Sequence, residues 1–406
     1  MRRPIVVQKY GGSSVADVEK LGRVAERVVH ARRAGNDVVV VVSAMGKTTD
    51  GLLELARDAV RAGAADGADR EPARRELDML VSTGERVAMS LLSIAIQARG
   101  VRAISFTGSQ SGIITNDRHF DARIIEVRPH RIEDELARGA VVIVAGYQGM
   151  SYKREITTLG RGGSDTTAVA LAAALGADRC EIYSDVDGVY SADPRSVPEA
   201  RHLPELDHAL VQEMAESGAK VVCAQAVEWA RRAGIAIYAR SSFEPVSDTP
   251  RQTVIRRFAP GDEPRARAIV GHRQLAHATL GELATLERAE HLLLAAGAAI
   301  VEEHVSEERA EWLLSLTSAP GFAQARARIE EELPSLTVTV GLGLVSVVGG
   351  GLTERGAALV AFREALAAAA ARPRRMLATA LRLGAVVDAA CVPDAERALH
   401  ARFVAP

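Results

Sequence analysis

The 406-residue sequence predicts an α/β layer fold with a mainly parallel sheet, followed by a smaller α+β region. Two observations support this prediction. Over about the first 250 residues, short apolar runs alternate with stretches of helical apolar spacing, which is typical of parallel sheets covered by helices. Beyond a proline-rich stretch, strand-like and helical runs alternate in the manner of split βαβ units.

The first region opens with a strand, a turn and a helix. Ile5–Gln8 is an apolar run, Gly11-Gly12 follows as a turn, and apolar residues then recur at helical spacing from Val18 to Val29. Val38–Val42 is a continuous valine run, typical of a strand buried on both faces. The other predicted strands are Ala103–Phe106, Val141–Ala145, Cys180–Ser184 and Ile235–Ala239, and the predicted helices are Glu76–Gln97, Asp165–Leu175 and Ser217–Arg232.

The composition changes near residue 245. Prolines and polar residues crowd positions 246–265, which predicts a linker between a catalytic domain, 1–245, and two small α+β units, 266–406. The predicted strands of this second region are Ala268–Val270, Trp312–Leu316, Leu336–Val340, Val345–Val348, Met376–Leu381 and Val386–Val392. Its predicted helices are Glu282–Ala296, Phe322–Leu333, Glu354–Ala371 and Asp394–Phe403.

Charge, aromatic content and cysteine usage exclude several function classes. A net charge of −2 and 4% aromatic residues argue against nucleic-acid binding and against a charged membrane surface. The three cysteines form no CxxC pair, so neither a disulfide framework nor a zinc site is indicated. The apolar run at Ile5–Val7 is too short for a signal peptide. We therefore expect a cytoplasmic protein.

Two glycine-rich segments suggest phosphate and carboxylate binding. Lys9 precedes Gly11-Gly12 at a predicted strand end, where backbone N–H groups and a lysine could hold phosphate, although such a turn is also common without a ligand. Segment 157–168 places three glycines, Arg161, Ser164 and Asp165 at a predicted helix start. An arginine inside a glycine run is unnecessary for a structural turn, and its planar fork suits a carboxylate.

A third segment, 182–195, consists of a predicted strand end and a following loop that contains Asp185, Asp187 and Asp193. It lacks the glycine spacing and terminal glutamate of an EF-hand. A nucleotide loop fits better, with Tyr190 against the base and Arg195 towards the phosphates. The sequence contains no GxxxxGK[ST] motif, so a P-loop enzyme is excluded.

Together these segments resemble the aspartate kinases of the amino-acid-kinase superfamily. Six motifs match in order, namely K-Y-G-G-S-S-V at Lys9–Val15, V-S-A-M-G-K-T-T-D at Val42–Asp50, S-T-G-E at Ser82–Glu85, T-L-G-R-G-G-S-D-T-T-A at Thr158–Ala168, Y-S-D-V-D-G-V-Y-S-A-D-P-R at Tyr183–Arg195, and G-A-K-V at Gly218–Val221. The resemblance implies the three-layer amino-acid-kinase sandwich followed by two ferredoxin-like ACT units, and a homodimer formed through those units.

The resemblance also implies roles for individual residues. Lys9 and Asp165 would be catalytic, with Asp165 organising the charges near the transferring phosphate. The residues implied for ATP are Lys9, Tyr10, Gly11, Gly12, Ser184, Asp185, Tyr190, Arg195, Lys220 and Val221. The residues implied for aspartate are Ser43, Thr49, Glu85, Arg161, Gly162, Gly163 and Ser164, with Arg161 on a substrate carboxylate and Glu85 facing the α-ammonium.

The implied chemistry agrees with the residues present. An aspartate side chain has a reference pKa near 3.9, so it is ionised at neutral pH and needs no general base to attack phosphorus. The reaction needs alignment and charge neutralisation, which Lys9, glycine-loop N–H groups and Mg²⁺ carried mainly by the ATP phosphates would supply. The expected partners are therefore ATP and aspartate.

The sequence departs from the family pattern in two places. Cys223 and Gln225 stand where histidine and arginine are common, and we interpret this as drift in a helix outside the chemistry, with an altered domain or subunit contact as the alternative. The C-terminal units lack the usual Pro-Gly loop, which leaves feedback inhibition by lysine or threonine and an effector-free scaffold both open. A same-fold kinase of another acidic amino acid in a specialised pathway is the alternative function; a non-catalytic subunit conflicts with the intact kinase motifs.

Overall fold

The computed structural model describes residues 3–63, 72–160, 162–219, 222–247, 249–258, 266–317, 319, 321–353 and 356–404. The chain forms two compact units. The first comprises Met1–Val189, Leu203–Gln212 and Lys220–Phe258, and the second comprises Tyr190–His202, Glu213–Ala219 and Ala259–Pro406. Each is described separately below.

The region up to residue 258 contains both strands and helices, although the predicted alternation is interrupted where several strands follow one another without a helix. The strands are β1 (Ile5–Tyr10), β2 (Asp37–Val42), β3 (Ala103–Phe106), β4 (Ile113–Thr115), β5 (Ile124–Val127), β6 (Val141–Ala145), β7 (Gln148–Ser151), β8 (Ile156–Thr158), β9 (Arg179–Ser184), β10 (Val189–Tyr190), β11 (His202–Leu203), β12 (Glu205–Asp207), β13 (Ile237–Ser241) and β14 (Gln252–Arg256). The α-helices are α1 (Val18–Arg33), α2 (Thr48–Gly63), α3 (Arg74–Gln97), α4 (His130–Ala137), α5 (Gly163–Leu175), α6 (His208–Glu216) and α7 (Ala224–Ala233).

Eight of these strands form the main sheet of the first unit, in the order β12-β14-β13-β9-β1-β2-β6-β3. All neighbouring pairs are parallel except β13 with β14. A second sheet, β5-β4-β7-β8, stands apart from it. The prediction of a mainly parallel α/β sheet is therefore confirmed.

Helices cover both faces of the central strands. Val38, Val40 and Val42 pack into one core with α1 and α3. Because side chains alternate along a strand, Val39 and Val41 face the opposite side, where α5 contacts β1, β2 and β9. All five valines are fully buried. This two-sided burial explains the continuous valine run that predicted β2 from sequence.

Helix α3 is apolar on most of its surface. It is long and apolar enough to cross a membrane by length and composition, yet half of its most apolar window is buried within the chain. It also carries two buried carboxyl groups, Asp78 and Glu85. These features are those of a core helix, and the two carboxyl groups bear on the site described below.

The second unit contains a six-stranded sheet. From residue 266 on, its elements are β15 (Ala266–Leu280), β16 (Ala299–Val305), β17 (Ala310–Ser315), β18 (Leu336–Gly349), β19 (Arg375–Ala378), β20 (Arg382–Asp388), α8 (Leu286–Ala295), α9 (Phe322–Glu332), α10 (Ala357–Ala368) and α11 (Val392–Phe403). The sheet order is β16-β17-β15-β18-β20-β19. One core gathers α8 and α9, and a separate core gathers α10 and α11. Two α+β halves are thus present, as predicted, but β15 and β18 run through both.

Several predicted elements differ from the structure; for example, the strand predicted at Val386–Val392 ends at Asp388, and helix α11 begins at Val392. Leu336–Val340 and Val345–Val348 are one strand, β18, and the glycines between them do not form a turn. Gly341 is a local irregularity of the strand with a positive φ, and Gly343 lets the strand pass close to Val392. The predicted helix Ser217–Arg232 begins only at Ala224, since Gly218 has a φ of 112°. The predicted linker contains strand β14, and residues 259–265 lie outside the described residues.

Candidate active site

Lys9 and Asp165 form the charged centre of the candidate site. Lys9 lies near the carboxyl end of β1, and Asp165 lies in the first turn of α5. Lys9 Nζ lies 2.6 Å from Asp165 Oδ1, and both side chains are nearly nine-tenths buried. The carboxyl ends of parallel strands are where open α/β sheets bind ligands. The structure therefore brings together the two residues assigned to catalysis.

The first glycine pair packs against the loop that follows β2. Gly46 N donates a hydrogen bond to Gly12 O at 3.0 Å. A Cβ on Gly12 would lie 2.8 Å from the carbonyl oxygen of Ala44, so only glycine fits there. A Cβ on Gly11 would stand 3.5 Å from Lys9 Nζ. The two loops assigned to phosphate and aspartate are thus neighbours, with Lys9 beside them.

The second glycine segment forms the N-terminus of helix α5. Gly160 and Gly162 both have a φ of 73°, and Gly162 is the residue before the helix. Ser164 is buried, and a side chain on Gly146 would meet its Oγ at 2.7 Å. Helix N-termini offer free N–H groups and a favourable dipole to an anion. Arg161 lies outside the described residues.

We predict that Gly162→Ala impairs aspartate use. An alanine would adopt an unfavourable φ, and its Cβ would lie 2.5 Å from Cys223 Cβ, so the loop must shift. We expect kcat/KM for aspartate to fall by about tenfold or more, since a 1 Å misplacement can cost about 10²-fold. The matched control is Gly234→Ala, with a φ of 71° and no atom nearby. Equal kcat/KM in both variants would contradict the assigned role of the loop.

Glu85 points an unsatisfied carboxylate oxygen into the protein. It lies on α3 and is 3% exposed. Its Oε1 accepts a hydrogen bond from Ala44 N at 3.1 Å, whereas the buried Oε2 has no partner among the described residues. Burial raises the pKa of Glu85 to about 7. A buried oxygen without a donor fits an incoming cationic group such as an ammonium.

Tyr147 is a site neighbour that the sequence analysis did not single out. It has a φ of 67°, which is unusual for a residue with a side chain. Its backbone N donates to Thr167 Oγ1 at 3.2 Å, and a Cβ on Gly163 would lie 2.9 Å from its ring. Strained conformations of this kind cluster at functional sites. In the sequence, the only signal for Tyr147 as a site residue is its position just after a predicted buried strand, between β6 and β7.

The described residues assigned to the nucleotide make mainly local contacts. Ser184 Oγ contacts the backbone of Val186, and Asp185 is exposed. Tyr190 makes an edge contact with the ring of His202. The guanidinium of Arg195 donates two hydrogen bonds to Asp193, and this side chain is mostly exposed. Tyr190 and Arg195 belong to the second unit, Ser184 and Asp185 to the first. Lys220 and Val221 lie outside the described residues.

Comparison with known proteins places the chain in a family. Residues 4–241 match the family model described as the amino acid kinase family. An aspartokinase of Mycolicibacterium smegmatis is 42% identical over 98% of this chain and 96% of its own. The chain belongs to the aspartate kinases. An aspartokinase of Thermus thermophilus is 37% identical over 98% of both chains. E. coli aspartokinase III matches with a TM-score of 0.82 and 27% identity, over 98% of this chain and 99% of its own.

The family resemblance predicted from sequence is thereby confirmed, including the fold with its C-terminal ACT-type region. Some residues of the family motifs nevertheless have side chains that are part of the hydrophobic core. The ring of Tyr10 is completely buried and stacks on Tyr183 at 4.7 Å between ring centres. Burial raises its pKa well above the usual value. Any contribution of Tyr10 to nucleotide binding therefore comes from its backbone.

Cys223 lies closer to the candidate active site than the sequence analysis predicted. The predicted helix position is wrong, because Cys223 precedes α7, and it lies beside Gly162, a residue assigned to aspartate. Burial raises the pKa of its thiol, which keeps it protonated and a poor nucleophile. No contact within the described part of the chain explains Gln225. Residue 223 is 61 positions from Gly162, so no local pattern could reveal this contact.

Proposed function

We propose that Lys9 and Asp165 are the charged centre at which this aspartate kinase transfers the γ-phosphoryl group of ATP to the side chain of L-aspartate, giving 4-phospho-L-aspartate. The observation that carries the proposal is the 2.6 Å pair of Lys9 Nζ and Asp165 Oδ1 at the start of α5. The similar E. coli structure is a complex with aspartate and ADP, which supports the same pair of ligands here.

The transfer needs charge neutralisation more than proton transfer. The acceptor carboxylate is ionised at neutral pH, so it attacks phosphorus directly. Lys9 offsets the negative charge on the phosphoryl oxygens, and Asp165 holds Lys9 in place. Backbone N–H groups at Gly11, Gly12 and the α5 N-terminus add fixed partial charges. A direct transfer of this kind needs no covalent intermediate.

Aspartate would be held between the loop after β2 and the glycine loop. Glu85 supplies the free carboxylate oxygen for the α-ammonium. Arg161, between the two glycines of positive φ, would bind a carboxylate of the substrate. Ser43, Thr49, Gly162, Gly163 and Ser164 complete the proposed aspartate site. The glycines matter because their backbone can approach the substrate closely.

ATP would bind beside Lys9 together with Mg²⁺. The proposed nucleotide contacts are Ser184, Asp185, Tyr190, Arg195, Lys220 and Val221. Among the described residues no cluster of three His, Cys, Asp or Glu side chains could hold a metal ion alone. Mg²⁺ commonly binds one or two carboxylates together with substrate phosphates, and Asp165 is the carboxylate nearest Lys9. The ion would neutralise charge on the phosphates.

We also propose a cytoplasmic homodimer built through the C-terminal unit. Strands β16 and β19 are the two edges of its sheet, and exposed sheet edges tend to be covered by a partner. Most residues of β16 are at least partly exposed.

An acceptor panel tests the proposal. Purified enzyme is assayed for ADP release with aspartate, glutamate and succinate. Glutamate places its carboxylate one methylene further away, so we expect at least about 10²-fold lower kcat/KM. Succinate lacks the ammonium and should lose binding at Glu85, with little change when Glu85 is replaced by glutamine. Turnover that is faster with glutamate than with aspartate would refute the assignment.

A further inference from the structure

Asp78 is a buried carboxyl group with no part in the chemistry assigned above. It lies on α3 and is completely buried, and burial raises its pKa. Its Oδ1 accepts hydrogen bonds from Thr158 Oγ1 at 2.5 Å and from Phe120 N at 3.1 Å. Its Oδ2 lies 2.6 Å from Nδ1 of His119. Three donors on one buried carboxyl group form an ordered polar network.

These donors belong to two segments that meet at the glycine loop. Thr158 ends β8 and is two residues before Gly160. Ala122 N donates to Thr158 O at 2.8 Å, and Asp121 Oδ1 lies 3.1 Å from where a Cβ on Gly160 would stand. Turn 119–122 therefore runs along the start of the loop.

The backbone of this turn is strained. Phe120 has a φ of 69°, although it is not glycine. Such a conformation persists only where surrounding contacts hold it. Asp78 supplies such a contact directly, since its carboxyl group accepts from the N–H of Phe120. The network thus fixes both the turn and Thr158, the last residue of the strand that leads into the glycine loop at Gly160.

The same helix also holds the other aspartate loop. Glu85 accepts a hydrogen bond from Ala44 N, and a Cβ on Gly84 would meet the Cβ of Ala44 at 2.8 Å. Asp78 and Glu85 are seven residues apart, so they lie on one face of α3, about 10 Å apart along its axis. One rigid helix therefore contacts both the loop after β2 and the strand end that leads into the glycine loop.

We infer that Asp78 and His119 are positioning residues for aspartate, which fix the glycine loop at a set distance from Glu85. The inference deepens the proposed function and rests on its assignment of this loop to aspartate. Among the described residues, the hydrogen bonds of Asp78 include neither Lys9 nor a residue assigned to ATP. Because the loop leads into α5, which carries Asp165, a loose loop should lower kcat as well, but it should raise the KM for aspartate more than the KM for ATP.

Replacement of His119 tests the inference, because its side chain is partly exposed and the change leaves no buried void. His119→Leu removes the donor at Nδ1, whereas His119→Asn can place an amide N–H at that position. We expect His119→Leu to raise the KM for aspartate about tenfold with the KM for ATP within twofold, and His119→Asn to restore most of the loss. Asp78→Asn should give a larger rise of the same kind. The rescue and the split between the two KM values would not arise from general destabilisation.

The matched control is His130→Leu, which removes a histidine from an exposed pair with Glu133. It should leave both KM values unchanged. His119→Leu with unchanged kinetics, or with both KM values raised alike and no rescue by asparagine, would overturn the inference. Arg161→Ala distinguishes the assignment of the glycine loop to aspartate from the positioning role of Asp78 and His119. If it leaves the KM for aspartate unchanged, the assignment of the loop fails; if it raises that KM while His119→Leu does not, only the positioning role fails.

Discussion

Replacing Lys9 with alanine should lower kcat by about 10²–10³-fold, the usual cost of removing one donor that stabilises transition-state charge. The KM for aspartate should change much less, because Lys9 Nζ pairs with Asp165 and not with the groups assigned to aspartate. Steady-state kinetics with both substrates varied would measure this split. A Lys9→Ala enzyme with near-normal kcat would remove Lys9 from the mechanism.

Stability must be separated from catalysis in this experiment. Lys9→Ala leaves Asp165 buried without its partner, which can cost about 3–5 kcal/mol. The double variant Lys9→Ala, Asp165→Asn removes both charges, so we expect it to recover stability in thermal unfolding without recovering activity. Lys20→Ala is the matched control, since Lys20 pairs with Asp17 at the surface. It should change neither property.

Replacing Glu85 with glutamine should raise the KM for aspartate about 10–100-fold, the value of a hydrogen bond to a charged group. The wild-type kcat/KM for aspartate should also rise with pH through about 7, because the buried Glu85 ionises there. This limb of the pH profile should vanish in Glu85→Gln. A pH profile that is the same in both enzymes would contradict the role of Glu85 towards the ammonium.

The same substitution should stabilise the free enzyme at alkaline pH. The pKa of Glu85 is about 7 in the folded chain and near 4.5 when exposed. Between these values the folded state holds the proton more tightly, so stability falls as pH rises from 4.5 to 7 and stays lower above. Glu85→Gln removes this penalty, which is at most about 3 kcal/mol at pH 8 and small at pH 4. Glu76→Gln, exposed on the same helix, should show neither effect.

The sequence predicted those elements of the fold that a pattern of neighbouring residues is enough to identify. The valine run of β2 is buried on both faces, and the strand predicted at Ala103–Phe106 has the observed bounds. Strand bounds were predicted wrongly where the role of a glycine depends on atoms that are distant in the sequence. Gly343 lies in the gap between the predicted strands Leu336–Val340 and Val345–Val348, although it is part of β18 and allows this strand to pass close to Val392. Local patterns cannot distinguish a turn from a close approach.

The same limit applies to the site. Lys9 and Asp165 were found because each lies in a motif at a strand end or helix start. The contact of Cys223 with Gly162, and that of Asp78 with Thr158, join segments about 60 to 80 residues apart and depend on tertiary packing. In the sequence, Asp78 is one polar residue in a predicted helix. Its importance follows only from its burial and its three donors.

The most direct measurement of the central claim is chemical trapping of the product. Hydroxylamine converts an acyl phosphate into a hydroxamate, which mass spectrometry identifies. With ATP, Mg²⁺ and aspartate, the enzyme should give the side-chain hydroxamate of aspartate in step with ADP, and Lys9→Ala should reduce both together. Release of ADP without this hydroxamate, or phosphate covalently bound to the enzyme as an intermediate, would contradict direct transfer to the side-chain carboxylate.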